Sequence, residues 1–311
     1  EQNGWFQPAH TPGRIKLSEK RVEAWRRHGF PAELYGREET ETLLGSRYWY
    51  GGMFNPTGGH INPLALARGL AGTAERHGAR LFEDTPVTHY TREGTAWRVT
   101  TPGGTLKARA LVLATNAYTD LVVARLASRL ARTMVPVISW QMATEPIGDN
   151  VRATLLPGRQ AVSDTRGDLL FFRYDARNRL ITGGAVIGPL RQAERVAAKG
   201  TARLSTAFPQ LGNQPMSHVW SGALSMTWDR FPRIHQLGPD AWSWIGCNGR
   251  GVALSVSLGR ELAGAVSGRP LDELALPVSE MRPLPFQSIA RHIAPAYLAW
   301  LKRKDRQEPS F

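Results

Sequence analysis

Trp244-Ile245-Gly246-Cys247-Asn248-Gly249-Arg250-Gly251-Val252-Ala253-Leu254-Ser255 reads as the end of a strand, a glycine turn and the opening of a helix. The apolar run Trp242 to Ile245 supplies the strand. Val252, Val256, Leu258, Leu262 and Val266 then fall on most sides of the helix, which predicts a largely buried one. Gly268 followed by Pro270 stops it. Gly249 and Gly251 let the backbone approach a ligand at the helix N-terminus, where free N–H groups and the helix dipole favour negative charge. The same spacing also serves a plain strand-to-helix turn, so the surrounding stretches decide.

Working outward, the 311 residues suffice for one large domain or two intertwined ones with ample core. A hydrophobic share of 42% and a charged share of 21% describe a globular chain rather than a disordered one. No apolar run of about 18 residues occurs, so no membrane span is expected. The opening Glu1-Gln2-Asn3-Gly4 lacks the basic and apolar regions of a signal peptide. It also lacks an initiator Met, which suggests that the sequence begins partway through something. The single Cys excludes an internal disulfide and a cysteine-rich metal site, and suits a reducing, cytoplasmic location.

A net charge of +13 invites a nucleic-acid reading. Lys makes up only 6 of the 39 basic residues, however, and the arginines are scattered. Only Lys302-Arg303-Lys304 is a tight basic cluster, and no nucleic-acid-binding motif accompanies it. A solvated surface accounts for the charge, an acidic substrate or cofactor would welcome it, and no nucleic-acid partner is expected.

In chain order, a helix is expected from Glu19 to His28, capped by Ser18 and closed by Gly29. A second helix runs from Arg37 to Leu44, and Tyr48 to Phe54 is an aromatic strand. Asn62-Pro63 starts a strong helix with apolar Leu66, Leu70 and Ala74, ended by Gly78. Ala79 to Glu83 and Pro86 to Tyr90 read as strands. Ala96 to Thr101 and Thr105 to Ala110 form an antiparallel hairpin that feeds Leu111 to Asn116, a continuous apolar run of the buried parallel type. Val135 to Trp140, Leu169 to Tyr174, Leu180 to Gly184 and Val219 to Leu224 are further strands. A helix spans Leu190 to Ala207, and a last one Ile289 to Lys302. This mixture is α/β with β-rich, α+β character.

Several chemistries are absent. There is no Gly-x-x-x-x-Gly-Lys loop, no Gly-x-Ser-x-Gly elbow, no His-Glu-x-x-His and no Gly-x-Gly-x-x-Gly. The histidines show no ligand spacing, so no metal site is expected. Cys247 reads either as a small buried hydrophobe or as a reactive thiol beside the turn.

Four stretches together carry a resemblance: Gly59-His60-Ile61-Asn62-Pro63 with its helix, Leu111 to Thr119, Trp220 to Ile234, and Ile245 to Gly264. In order and spacing they resemble the flavin-dependent D-amino-acid-oxidase-like oxidoreductases, which include glycine, sarcosine and γ-glutamylputrescine oxidases. The last branch is most similar, given Thr144-Glu145-Pro146, Phe171-Phe172-Arg173 and Gly251-Val252-Ala253-Leu254. The resemblance implies a three-layer FAD-binding domain from residues 60–125 and 228–275, incomplete at its glycine-rich N-terminal part. It implies a β-rich antiparallel-sheet substrate domain from residues 1–59 and 126–227, and a C-terminal tail and helix over 276–311.

For the site, the resemblance places Ala114, Thr115 and Asn116 against the FAD-binding sheet and offers the backbone at Val87 to the adenine. It aims Gly249, Arg250, Gly251, Val252 and Ala253 at the flavin pyrimidine ring. Related sequences often have His where Arg250 stands; Arg keeps a positive charge but stays protonated. Sarcosine oxidases that attach FAD covalently carry a cysteine at or near the place of Gly222, so the FAD here is expected to be non-covalent. Where glycine and D-amino-acid oxidases grip a substrate carboxylate with arginine, Leu224 or Ser225 stands instead. Arg173 is then the candidate clamp, although strand alternation leaves open whether it faces solvent. The expected activity is oxidation of the C–N bond of an amine or amino acid to an imine by hydride transfer to flavin N5, with Arg250 and Arg173 as the catalytic candidates. The alternative is a non-catalytic fragment or scaffold that retains the fold without FAD. The family's first strand–turn–helix, with its dinucleotide-binding glycines, is not found in these residues and would precede residue 1.

Overall fold

The structure, a computed structural model, describes residues 1–186, 188, 190–287, 299, 300, 303–305 and 307, and every statement below concerns those. In chain order come β1 (Trp5–Pro8), α1 (Ile15–Arg27), β2 (Glu33–Tyr35), α2 (Arg37–Leu44), β3 (Gly52–Asn55), α3 (Pro63–Arg76), β4 (His89–Glu93), β5 (Ala96–Thr101), β6 (Gly104–Ala108) and β7 (Leu111–Leu113). There follow α4 (Ser128–Ala131), β8 (Val135–Thr144), α5 (Asp149–Arg152), β9 (Ala161–Ser163), β10 (Phe171–Tyr174), β11 (Leu180–Gly184), α6 (Gln192–Ala207), β12 (Met216–Met226), β13 (Arg233–Gly238), β14 (Ala241–Ile245) and α7 (Gly251–Val266). The expected helix from Ile289 to Lys302 lies outside the described residues, apart from Ala299 and Trp300. No described helix is long and apolar enough to cross a membrane.

The chain forms two compact units. The first comprises Glu1–Asn62, Ser139–Gly222 and Pro295–Phe311. Its sheet runs β12-β8-β11-β10-β9-β1-β3-β2, with β1 and β9 parallel and the pairs from β8 to β9 and from β1 to β2 antiparallel. One face is sealed by Trp49, Phe172 and Phe208, whose ring centroids lie 5.1–5.7 Å apart. Such aromatic pairs add about 0.5–1.5 kcal/mol each beyond their area burial. Tyr174 closes the same core, its phenol donating to the Leu155 carbonyl at 3.1 Å, and burial pushes its pKa up to about 12.

The second unit comprises Pro63–Ile138 and Ala223–Ala294. Three strands, β13-β14-β7, form its central sheet, with β14 antiparallel to β13 and parallel to β7. Side chains alternate along β14 as strand geometry requires. Trp242 and Trp244 pack with Leu258 and Leu262 of α7, while Ile245 joins Leu113, Leu130 and Met134 in a separate cluster. The β4-β5-β6 meander abuts the sheet through Trp97, whose indole donates to the Pro239 carbonyl at 2.9 Å.

Three local expectations are corrected. Ser18 does not cap α1: the helix begins at Ile15 after a 3-10 turn over Pro12–Arg14, and Ser18 is buried within it, its hydroxyl turned to the Arg14 carbonyl. Pro12 supplies the fixed φ that starts the helical turn early. Residues 79–83 form no strand, because no described strand offers them a ladder; Leu81 and Phe82 stay exposed. Burial of α7 is one-sided, with Leu258, Leu262 and Ala265 inside but Val252, Val256 and Val266 exposed. The free edge of β7 and the exposed Leu64 and Leu70 of α3 likewise lie uncovered among the described residues.

One buried group carries a pH dependence. His235 on β13 is fully buried, with Nδ1 2.7 Å from the Ser279 carbonyl and Nε2 without a hydrogen-bond partner among the described residues. Burial holds its pKa below the ordinary 6.5, so the folded ring is neutral. Its contribution to stability is therefore complete above about pH 6.5 and lost as acidification protonates the unfolded chain first. Urea midpoints should fall between about pH 7 and pH 5, and His235→Asn should flatten that slope.

Candidate functional site

The site is built where β14 ends. Gly246 turns the chain with φ +82°, Asn248 follows at +47° and Gly249 at +80°. Only glycine adopts such angles freely, and asparagine is among the few side chains that tolerate them. The Arg250 amide donates to the Cys247 carbonyl at 2.7 Å, and Gly251 opens α7. The first turn of α7 has no side-chain cap and no acidic residue. Its leading amides therefore point outward with the positive end of the helix dipole. Open space surrounds Gly249 where a Cβ would stand. From this turn a groove of about 560 Å³ runs the length of α7, past Gly251, Ser255 and Leu262 to Val266, against Val112, Ala114 and Asn116.

A polar network sews the turn to the end of β12. The Ser225 hydroxyl accepts from the amides of Gly246 at 2.9 Å and Cys247 at 3.0 Å, and donates to Oδ1 of Asn116. The Asn248 amide donates to the Ser225 carbonyl at 3.0 Å. Asn248 Oδ1 accepts from the Thr227 amide at 3.0 Å, and its Nδ2 donates to the Gly246 carbonyl at 2.6 Å. Cys247 is buried. Burial alone would raise its thiol pKa, but its hydrogen-bonding contacts with Asn116, the Gly249 amide and Ser225 together draw it below the usual value.

Most of the residues expected from the sequence meet on this turn and groove. Ala114, Asn116 and Gly251 line the groove, and Gly249, Arg250, Val252 and Ala253 stand exposed at the turn and first helical turn. Asn116 itself, at φ +44°, directs its amide to Ser225 and Cys247. Thr115 pairs its hydroxyl with that of Thr119 at 2.6 Å. The Arg250 guanidinium donates to the Arg230 carbonyl at 2.8 Å, which draws it back over the residues after β12. Val87 lies two residues before β4 and is not among the groove's lining residues.

Gly222 and Arg173 belong to the first unit, Gly222 on β12 and Arg173 on β10. Burial alternates along β10, with Phe172 and Tyr174 in the core, so Arg173 takes the opposite face. It is half-buried there, donates to the Tyr174 carbonyl at 3.3 Å, and makes no ion pair among the described residues. Burial lowers its pKa. The sequence reading missed Ser225 as a network residue, together with Asn248 and Thr227. Small polar side chains immediately flanking a glycine turn were the available signal.

The chain is 29% identical over 253 residues to the probable oxidoreductase OrdL of Haemophilus influenzae, covering 81% of this chain and 58% of that protein. It is 29% identical over 251 residues to gamma-glutamylputrescine oxidoreductase of Escherichia coli, covering 80% of this chain and 58% of that protein. The chain thus spans somewhat under two thirds of the length of these curated relatives. Among solved structures, L-proline dehydrogenase from P. horikoshii superposes with a TM-score of 0.76 at 22% identity, over 89% of this chain and 75% of that one. This likeness concerns the fold. The profile of the family described as FAD dependent oxidoreductase (DAO) matches residues 1–265, and the chain belongs to that family.

Proposed function

We propose that this chain is the flavin-facing and substrate-facing part of an FAD-dependent amine or amino-acid oxidoreductase. The observation that carries the reading is the uncapped, acid-free N-terminus of α7 beside its groove. That arrangement fits a flavin pyrimidine edge, where reduction builds negative charge. The second unit takes the nucleotide-facing role and the first the substrate-facing role. Bound FAD would supply a two-electron acceptor, so that the H–C–N–H unit of an amine could pass to an imine, with its hydride taken up by the ring and its nitrogen proton released to solvent.

The chain's own residues bind and orient. The amides of Gly251, Val252 and Ala253, with Arg250 close by, favour the electron-rich ring edge. The flavin is held without a covalent bond: Gly222 offers no thiol, and Cys247 is buried with its Sγ 3.8 Å from the Ser225 carbonyl. Flavin should therefore leave the polypeptide on acid precipitation. A cytoplasmic location is supported by the one unpaired cysteine.

The substrate is an amine with a remote carboxylate. Leu224 packs against the α7 cluster and Ser225 is committed to the turn, so neither grips a carboxylate beside the reacting nitrogen. Arg173, half-buried without an ion pair among the described residues, is the cation we propose for the substrate carboxylate. A desolvated carboxylate needs such a partner. The test is turnover by the flavin-loaded protein on glycine, D-alanine, putrescine and γ-glutamylputrescine. The last should be fastest; glycine or D-alanine winning defeats the assignment.

A further inference from the structure

We propose that Ser225 is a positioning residue, whose buried hydroxyl fixes the glycine turn and thereby aims the N-terminus of α7 at the flavin ring. The inference rests on the functional reading above and adds to it a role for a fully buried side chain.

A serine hydroxyl has one proton to give and two lone-pair sites to offer. Ser225 uses all three: the proton goes to Asn116, and the lone pairs take the Gly246 and Cys247 amides. With the Ser225 carbonyl accepting from Asn248, one residue holds three consecutive amides of the turn. β14 has already ended at Ile245, so this clamp stands where a strand ladder would otherwise continue. The hydroxyl has no freedom left to rotate.

Asn116 and Asn248, one on each side of the clamp, both take left-handed backbone, at φ +44° and +47°, which asparagine tolerates better than most side chains. The clamp fixes where Cys247 and Asn248 lie, and the bonds from the Arg250 amide to Cys247 and from the Leu254 amide to Arg250 carry that placement into the first turn of α7. Because the effect of a helix terminus fades within one turn, its aim decides how strongly it favours a developing anion.

Two readouts test this. In the 311-residue chain without flavin, Ser225→Ala should speed amide exchange at Gly246 and Cys247 at least tenfold while the β13–β14 ladder stays protected. With FAD, the same change should lower the preference for reduced over oxidised flavin about tenfold, equal to about 30 mV in a two-electron potential. Ser225→Thr, which keeps the hydroxyl, should restore the preference to within about twofold. Asn116→Gly, which suits the local φ and keeps the fold, should shift the preference the same way by a smaller factor. An unchanged preference in both Ser225→Ala and Asn116→Gly overturns the positioning role, even if exchange quickens. Unchanged exchange overturns the clamp. The redox readout is taken at about millimolar FAD, well above the dissociation constant expected of this chain; no bound flavin even there overturns the functional reading, and the flavin half of this proposal with it.

Discussion

Titration of the purified 311-residue chain with FAD should give a dissociation constant no tighter than about 10 μM, a binding free energy of about −7 kcal/mol. Family membership alone suggests far tighter binding, so the reason matters. A dinucleotide pyrophosphate is held by backbone amides of a glycine-rich turn at a helix N-terminus. No Gly-x-Gly-x-x-Gly occurs in these residues. On the function proposed above the uncapped terminus of α7 faces the ring, and one helix terminus cannot serve both ends of so long a molecule. The uncovered apolar side chains point the same way. Val112 on the free edge of β7, Leu64 and Leu70 on α3, and Val252 and Val256 on α7 are all more than 40% exposed. Large apolar side chains left this exposed on several elements of one unit suit an interaction face. Calorimetry is the check: a constant at or below about 1 μM would show that another segment cradles the pyrophosphate.

Legibility in the sequence followed the range of the interactions. The helix begun by Asn62-Pro63, the short helix Arg37–Leu44 and the meander through Gly103-Gly104 were readable because caps, proline and alternation act within a few residues. The same local rules misplaced the start of α1, where a serine at a plausible cap position lies inside the helix. They made a strand of residues 79–83, whose alternation has no partner strand to use. The apolar character of α7 was visible, but not which face is covered, since coverage depends on what packs there. The Ser225 clamp was the least legible feature: its hydroxyl joins Asn116, 109 positions away, to Gly246, 21 positions away. No period or motif encodes a pairing of that range.

Gly246→Ala should cost the fold about 3–5 kcal/mol, a large part of a typical stability of about 5–15 kcal/mol. Part of the loss is conformational, because Gly246 sits at φ +82°. An L side chain in the left-handed region costs about 1–2 kcal/mol. The larger part is steric. A Cβ built there falls 2.8 Å from Cγ2 of Thr227 and 2.9 Å from the Phe231 carbonyl oxygen. Thr227 is held by Asn248 and by its own hydroxyl's bond to that same carbonyl at 2.9 Å, so neither atom can yield cheaply. Gly249→Ala is the matched control: φ is nearly the same at +80°, but nothing lies within 4 Å of the new Cβ. It should cost only the conformational 1–2 kcal/mol or so while weakening flavin binding, because the methyl fills the space a ligand enters. Urea denaturation at constant m-value measures both losses. Equal losses in the two variants would mean that the Thr227 and Phe231 contacts relax freely; a stability loss at Gly246 at least about twofold greater, with flavin affinity falling at Gly249, is the expected pattern.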